Sequence, residues 1–277
     1  RQLAVGLADG SVRVFDLSKF PRVSGGGDGA GDEGDEEEGP SAAPSSFSSS
    51  SSPSGLASAH APFVRAALAA STRPSLTSVT ELKYSPSGRL LAVASHDGCV
   101  DVCAVSRGYK RVARCAGHST TVAHVDWSAD GKLLMSVSKG NEILVHDART
   151  GLLVQGNHRD AAWATWTVPL GFPVMGIFRE GGDASSILSV ARASSQRYVA
   201  TADVFGQVRL LHYPCVVGAP GAHEYGGHSS FVTAVRWSLD DRWLLSGGGG
   251  DRCAFQWRVV DGSSTATAAR ARAAPPQ

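Results

Sequence analysis

RVARCAGHSTTVAHVDWSADGKLLMSVSKGNEILVHDARTG, residues 111–151, decides how the rest of the chain is read. After Gly117-His118 comes an apolar run from Val122 to Trp127, then a turn at Ala129-Asp130-Gly131. A second run, Leu133 to Ser138, is separated by Lys139-Gly140-Asn141 from a third, Ile143 to His146, which ends on Asp147. Runs of about six residues rich in Val, Leu and Ile, cut by Asp/Gly turns, predict strands of an antiparallel meander. Working outward, the plan returns from Gly227-His228: FVTAVRW, a turn at Leu239-Asp240-Asp241, WLLSG, a turn at Gly250-Asp251, then CAFQW.

A unit of about 40–45 residues, with Gly-His near its start and a Trp-Asp pair near its end, is the signature of a WD40 propeller blade. The polar residues have a physical task. A His on the entry loop can bond a Ser or Thr of the second strand, which reaches the Trp of the third, and a turn Asp completes the chain. Buried polar groups must find partners, so such a network pins strand register. The last unit offers His228, Ser246, Asp251 and Trp257. In residues 111–151 the Asp position holds Gly140 and the Trp position holds His146, leaving His118 and Ser136. Asp9 and Asp97 stand at the turn position of earlier units. All eight are read as blade-holding residues and none as catalytic.

Two further units flank these. Residues 2–16, QLAVGLADGSVRVFD, form the back half of a blade, and residues 79–105 form a whole one with Cys103 at the Trp position. Between them composition changes: residues 24–39 are Gly and acid, residues 41–55 mostly Ser. That stretch buries too little apolar area to offset the entropy of ordering it. Asp9 and Asp97 are 88 positions apart, and removing residues 18–61 leaves 44, one repeat. The reading is a disordered insertion in the hairpin before the fourth strand of the first blade, which resumes near Phe63-Val64. Residues 152–214 hold AAWATWTVPLGFPVMGIF, 18 residues without a charge. Pro169, Gly171, Pro173 and Gly176 argue against a membrane helix, and two buried strands joined by a turn are expected. Strands ILSVARA, RYVATAD and QVRLLHY follow. The expected architecture is all-β: a partial propeller of four to five four-stranded blades. Residues 1–17 are a half blade, 18–61 the insertion, 62–260 the blades and 261–277 a disordered tail.

Composition narrows the function classes. The net charge of +1 conceals seven acidic residues between Asp28 and Glu38, outside which 26 basic residues face 18 acidic ones. A mildly basic body suits an acidic partner, yet no Lys/Arg cluster of the nucleic-acid type is present. Cys99, Cys103, Cys115, Cys215 and Cys253 form no C-x-x-C pair, so no metal site is expected, and reduced thiols of the cytosol fit the pattern. The chain opens on Arg1 with strand-like residues and no signal peptide, and reads as a piece of a longer protein. Gly247 to Gly250 lack the Gly-Lys-Ser/Thr of a phosphate loop, and no G-x-S-x-G elbow occurs. Neither an enzyme nor a cofactor is expected.

Some segments are more specific than the blade pattern. WATWTVPLGFPVMGIFREGGDASSI, followed by ATADVFGQVRLLHYPC and YGGHSSFVTAVRW, resembles the echinoderm microtubule-associated-protein-like family. LLAVASHDGCVDV, GHSTTVAHVDWS and MSVSKGNEILVHD look like its preceding repeats in the same order. The likeness covers about residues 79–260 and corresponds to the C-terminal part of a tandem propeller. It implies a cytoplasmic, cytoskeletal protein that binds tubulin, microtubules or other cytoskeletal proteins without catalysis. It also implies that oligomerisation and much lattice binding belong to an N-terminal region lying outside this chain. Gly140, His146 and the insertion depart from the family pattern. The alternative class is a general WD40 adaptor recruiting peptides to a signalling or ubiquitin-ligase complex.

Overall fold

A computed structural model of the chain describes residues 2–17, 67–178, 186–218 and 221–260. The expected insertion (18–61) and tail (261–277) lie outside the described residues, as does the expected restart near Phe63-Val64; the first strand beyond them begins at Ala67.

Among the described residues seventeen strands make five antiparallel sheets in chain order. The first sheet holds β1 (Gln2–Gly6), β2 (Val12–Asp16) and β3 (Ala67–Thr72). β2 and β3 pair directly, so residues 17–66 connect neighbouring strands of one hairpin. The second sheet is β4 (Val79–Tyr84), β5 (Leu90–Ser95), β6 (Val100–Ala104) and β7 (Lys110–Cys115). β8 (Val122–Trp127), β9 (Leu133–Ser138) and β10 (Ile143–Asp147) form the third. β11 (Ile187–Arg192), β12 (Tyr198–Asp203), β13 (Val208–His212) and β14 (His223–Tyr225) form the fourth. β15 (Val232–Trp237), β16 (Trp243–Gly248) and β17 (Ala254–Arg258) complete the fifth. This is the partial WD40 propeller, although among the described residues only the second and fourth sheets carry four strands.

The sheets repeat their irregularities as well as their order. In each of the last four, the first hairpin breaks register near its start, between Val79 and Glu81, Val122 and His124, Ile187 and Ser189, and Val232 and Ala234. A bulge adds local twist. It also frees a residue to reach the next sheet: bulged Thr80 donates its hydroxyl to the Val122 carbonyl. The second sheet is fastened to the third, and the fourth to the fifth, through first strands. Trp127 Nε1 donates to the Lys83 carbonyl at 3.0 Å, and Trp237 Nε1 to that of Ala191 at 2.8 Å. The turns interlock too. A Cβ on Gly206, at φ +79°, would lie 2.9 Å from the carbonyl oxygens of both His228 and Ser230. Only glycine fits where the Asp-Gly turn of one sheet rests on the Gly-His loop entering the next.

Burial follows from this stacking. Leu91–Ser95, Leu134–Ser138 and Val199–Asp203 are buried throughout, because a neighbouring sheet or the segment at 161–178 covers each face. In the fifth sheet β16 alternates, with Trp243 and Leu245 exposed and Leu244 and Ser246 buried.

The expected pair of strands in residues 161–178 is not present. The segment contributes one isolated bridge, Trp163 to Ser128, and a 3-10 helix over Phe172–Ile177. Its apolar side chains fill the space between two sheets. Trp163, Trp166, Val168, Val174 and Ile177 pack with Met135, Val137 and Val145 of the third and Ile187, Val190 and Leu211 of the fourth. A plug that meets a sheet on either side needs no alternation, although Ala162, Ala164 and Met175 stay exposed. No helix among the described residues is long and apolar enough to cross a membrane.

Candidate functional site

In the fifth sheet the entry loop, the second strand and the third strand bring four side chains together. His228 Nδ1 lies 2.7 Å from Asp251 Oδ2, and His228 Nε2 lies 2.8 Å from Ser246 Oγ. Trp257 Nε1 donates to the same Ser246 oxygen at 2.8 Å. The order of donors follows. Trp257 donates to Ser246, whose hydroxyl proton goes to His228 Nε2, which leaves the ring proton on Nδ1 for Asp251. Asp251 also accepts the Cys253 N–H, and these bonds hold its carboxyl below the usual range. The His228 ring packs 4.4 Å from Phe255, centroid to centroid.

Asp251, His228 and Ser246 have the connectivity of a hydrolase triad, but not its accessibility. Ser246 is 3% exposed and its oxygen already takes the Trp257 proton. A nucleophile must present its oxygen to substrate beside an oxyanion-binding group. The arrangement joins strands and has no room for substrate.

The third sheet has a reduced form. His118 Nε2 lies 2.8 Å from Ser136 Oγ, and the acid is Glu142, with Oε2 3.3 Å from His118 Nδ1. Glu142 also accepts the Ser119 N–H at 2.9 Å and hydroxyl at 2.6 Å, and with the Ser138 hydroxyl these depress its carboxyl to about 2. Sequence reasoning missed Glu142 because it stands two positions beyond Gly140, the expected acid position; a longer side chain covers the difference. His146 pairs with Leu134 in the register where Trp257 pairs with Leu244. It turns its Nε2 to the Ala116 carbonyl at 3.1 Å and gives Ser136 nothing. Its Nδ1 is buried without a partner, and burial lowers its pKa.

Asp9 and Asp97 stay within their own turns. Asp9 Oδ1 accepts the Ser11 N–H and hydroxyl at 2.9 and 2.6 Å. Asp97 takes the Ser95 hydroxyl and the Cys99 N–H, and faces Arg114 across 2.6 Å. Neither meets a histidine ring, so the four-residue chain expected around the turn acid forms only where the entry loop carries His.

A second polar cluster lies on the first strands, where no motif pointed. Lys83 of β4 reaches Asp126 of β8 at 2.7 Å and the Val125 carbonyl at 3.0 Å. Asp126 takes the hydroxyl of Thr165 and the N–H of Thr167 from the plug. Those two threonines explain the W-A-T-W-T pattern: they anchor the plug to the third sheet. Glu81 accepts the Val125 N–H at 2.8 Å and faces His124 and Arg236, each at 3.7 Å. Burial pushes Glu81 up to about 7 and His124 down to about 4.

Five free cysteines are present, with burial raising Cys103 and Cys115 to about 12 and so keeping both as thiols. Cys99 directly precedes β6 and Cys103 lies within it. Among the described residues no group of three His, Cys, Asp or Glu side chains is disposed to hold a metal ion.

Two solved structures share the fold. The chain superposes on one from a crystal structure of the mitotic checkpoint complex, with a TM-score of 0.62, covering 94% of this chain and 72% of that one at 17% identity. The computationally designed Ika8 protein gives 0.54, covering 93% and 68% at 16% identity. Closer relatives come from sequence. Human echinoderm microtubule-associated protein-like 1 is 43% identical over 184 residues, which is 65% of this chain and 23% of that protein. The mouse echinoderm microtubule-associated protein-like 3 is 43% identical over 193 residues, 68% and 22%. The 77 kDa echinoderm microtubule-associated protein of Strongylocentrotus purpuratus is 41% identical over 184 residues, 65% and 27%. The chain thus spans under a third of the length of these relatives. Residues 63–259 match the model of the echinoderm microtubule-associated protein second beta-propeller. With most of its strands inside that match, this chain belongs to the echinoderm microtubule-associated protein family.

Proposed function

We propose that the chain is a non-catalytic, cytoplasmic propeller segment that binds tubulin, microtubules or another cytoskeletal protein and takes part in organising microtubules. The observation that carries this reading is the match of residues 63–259 to a family whose members are named for microtubule association. Supporting it, the conspicuous His, Ser and Asp groups are engaged in strand-to-strand bonds. His118, Ser136, His228, Ser246, Asp251 and Trp257 act as latches between strands, and Asp9 and Asp97 order turns. Binding then falls to loops and rims that the latched sheets hold in place. Neither nucleic acid nor membrane is a partner in this reading.

Co-pelleting with polymerised microtubules, beside an unrelated propeller of equal charge, tests it. Enrichment over the control is expected. Recovery equal to the control would favour the adaptor class.

A further inference from the structure

Among the described residues the third sheet ends on a strand that is only half covered. In the second sheet β7 runs along the whole of β6, from Val100 opposite Cys115 to Ala104 opposite Lys110. In the third, residues 152–154 begin to do the same for β10: Asp147 N–H donates to Leu152 O, and Val154 N–H to Val145 O. The chain then turns away. His158 Nε2 bonds the Val154 carbonyl at 3.2 Å, fixing the departure. β10 is therefore the last strand of its sheet among the described residues. Its alternation points the main-chain groups of Ile143, like those of Val145 and Asp147, away from β9. Ile143 is exposed.

Beside this half-open edge lies a cavity of about 460 Å³ lined by Ile143 and Val145 together with Met135, Trp163, Trp166 and Phe172. The Trp166 side chain lines it at 3% exposure, and its indole N–H is buried with no acceptor in the protein. Buried indole N–H groups normally find a partner. Arg159, its guanidinium stacked 3.5 Å from the centre of the Phe172 ring, is the charged group of the rim, and His158 adds a polar one. Among the described residues no carboxylate lines the cavity.

We propose that this edge and cavity are a docking site for an extended acidic peptide carrying one large apolar side chain. Its backbone continues the line of residues 152–154 and completes the fourth strand beside Ile143. Its apolar side chain enters the cavity, a main-chain carbonyl accepts the Trp166 N–H, and flanking carboxylates face Arg159 and His158. Strand addition of this kind takes affinity from main-chain bonds and specificity from side-chain pockets. The site goes beyond the microtubule reading and stands without it, since any acidic protein segment of this pattern would fit.

The test uses the whole chain and a fluorescein-labelled heptapeptide of alternating Glu and Val with a central Phe, read by anisotropy. Saturable binding is expected. N-methylation of the two peptide bonds flanking Phe, which leaves the protein untouched, weakens it about tenfold or more. Replacing that Phe by Ser does the same, Arg159→Gln weakens it several-fold with an unchanged circular dichroism spectrum, and the Trp166 indole proton resonance moves on binding. Equal affinity for the N-methylated peptide would overturn strand addition. An unmoved Trp166 resonance, or no saturable binding to folded protein, would overturn the site.

Discussion

The third and fifth sheets are two copies of one plan with different fastenings. In the fifth, His228, Ser246, Asp251 and Trp257 form a closed chain in which Ser246 serves two donors or acceptors from two other strands or loops. In the third, Ser136 has a single side-chain partner, His118, and the acid is Glu142, whose other bonds go to Ser119 and Ser138. The plug adds a second fastening to the third sheet, with Thr165 and Thr167 on Asp126 and with Trp163 and Trp166 packed against Met135. Among the described residues no such plug packs on the fifth sheet. A blade can therefore lose members of its polar latch when a neighbour supplies packing, whereas a sheet lacking that support depends on the whole set.

The largest expected contrast concerns glycine. A Cβ on Gly248 would fall 1.8 Å from Asp251 Oδ1 and 2.7 Å from His228 Nδ1, so Gly248→Ala must push the latch apart. A loss of about 3 kcal/mol is expected in denaturant unfolding. Gly140→Ala meets the Thr120 hydroxyl at 3.0 Å and the Ser138 hydroxyl at 3.5 Å, and should cost less than about 1 kcal/mol. Equal losses would mean that the two turns are alike.

Next come the imidazoles. His228→Ala leaves Asp251 and Ser246 without their shared partner in the fifth sheet, for a loss of about 2–3 kcal/mol. His118→Ala leaves Glu142 its Ser119 and Ser138 bonds, and about 1 kcal/mol is expected. Hydrogen exchange along β16 and along β9 would locate each loss in its own sheet.

The smallest effect is on pH dependence. Burial lowers the pKa of His118 and of His146, so both fold as neutral rings. Stability from a depressed imidazole is present above the unfolded value near 6.5 and is lost as pH falls through the folded one. Glu81, raised to about 7, works in the opposite sense: its contribution is present below 4.5 and is lost as pH rises through 7. Comparing wild type with His146→Phe cancels Glu81. The wild type should lose more stability than the variant between pH 7.5 and 5.5, and parallel curves would show that His146 does not titrate on unfolding.

Much of the fold was legible because strands and turns obey local rules. The runs Val122–Trp127 and Leu133–Ser138 are strands at those limits, and Ala129-Asp130-Gly131 turns between them with Gly131 at φ +71°. Turn chemistry can also hide: Asp241 adopts φ +55° where the second and third units have Gly88 and Gly131, and its carboxylate accepts the N–H groups of Ser194 and Ser195 from the previous sheet. Glu142 escaped notice because side-chain reach, not position in the turn, brings it to His118. The plug was misread as strands since an apolar run without alternation suits either a buried strand or a filler, and only its neighbours decide. Lys83 and Asp126 lie on alternating strand positions that read as ordinary surface, and their pairing follows from how two sheets meet.

The unequal latching of the two sheets is tested most directly by removing the same hydroxyl from each. Ser246→Ala breaks bonds to His228 and Trp257, whereas Ser136→Ala breaks only the one to His118. Urea unfolding of the two variants should give a loss of about 2 kcal/mol for Ser246→Ala and about 1 kcal/mol for Ser136→Ala. Equal losses, or a greater one at Ser136, would contradict it.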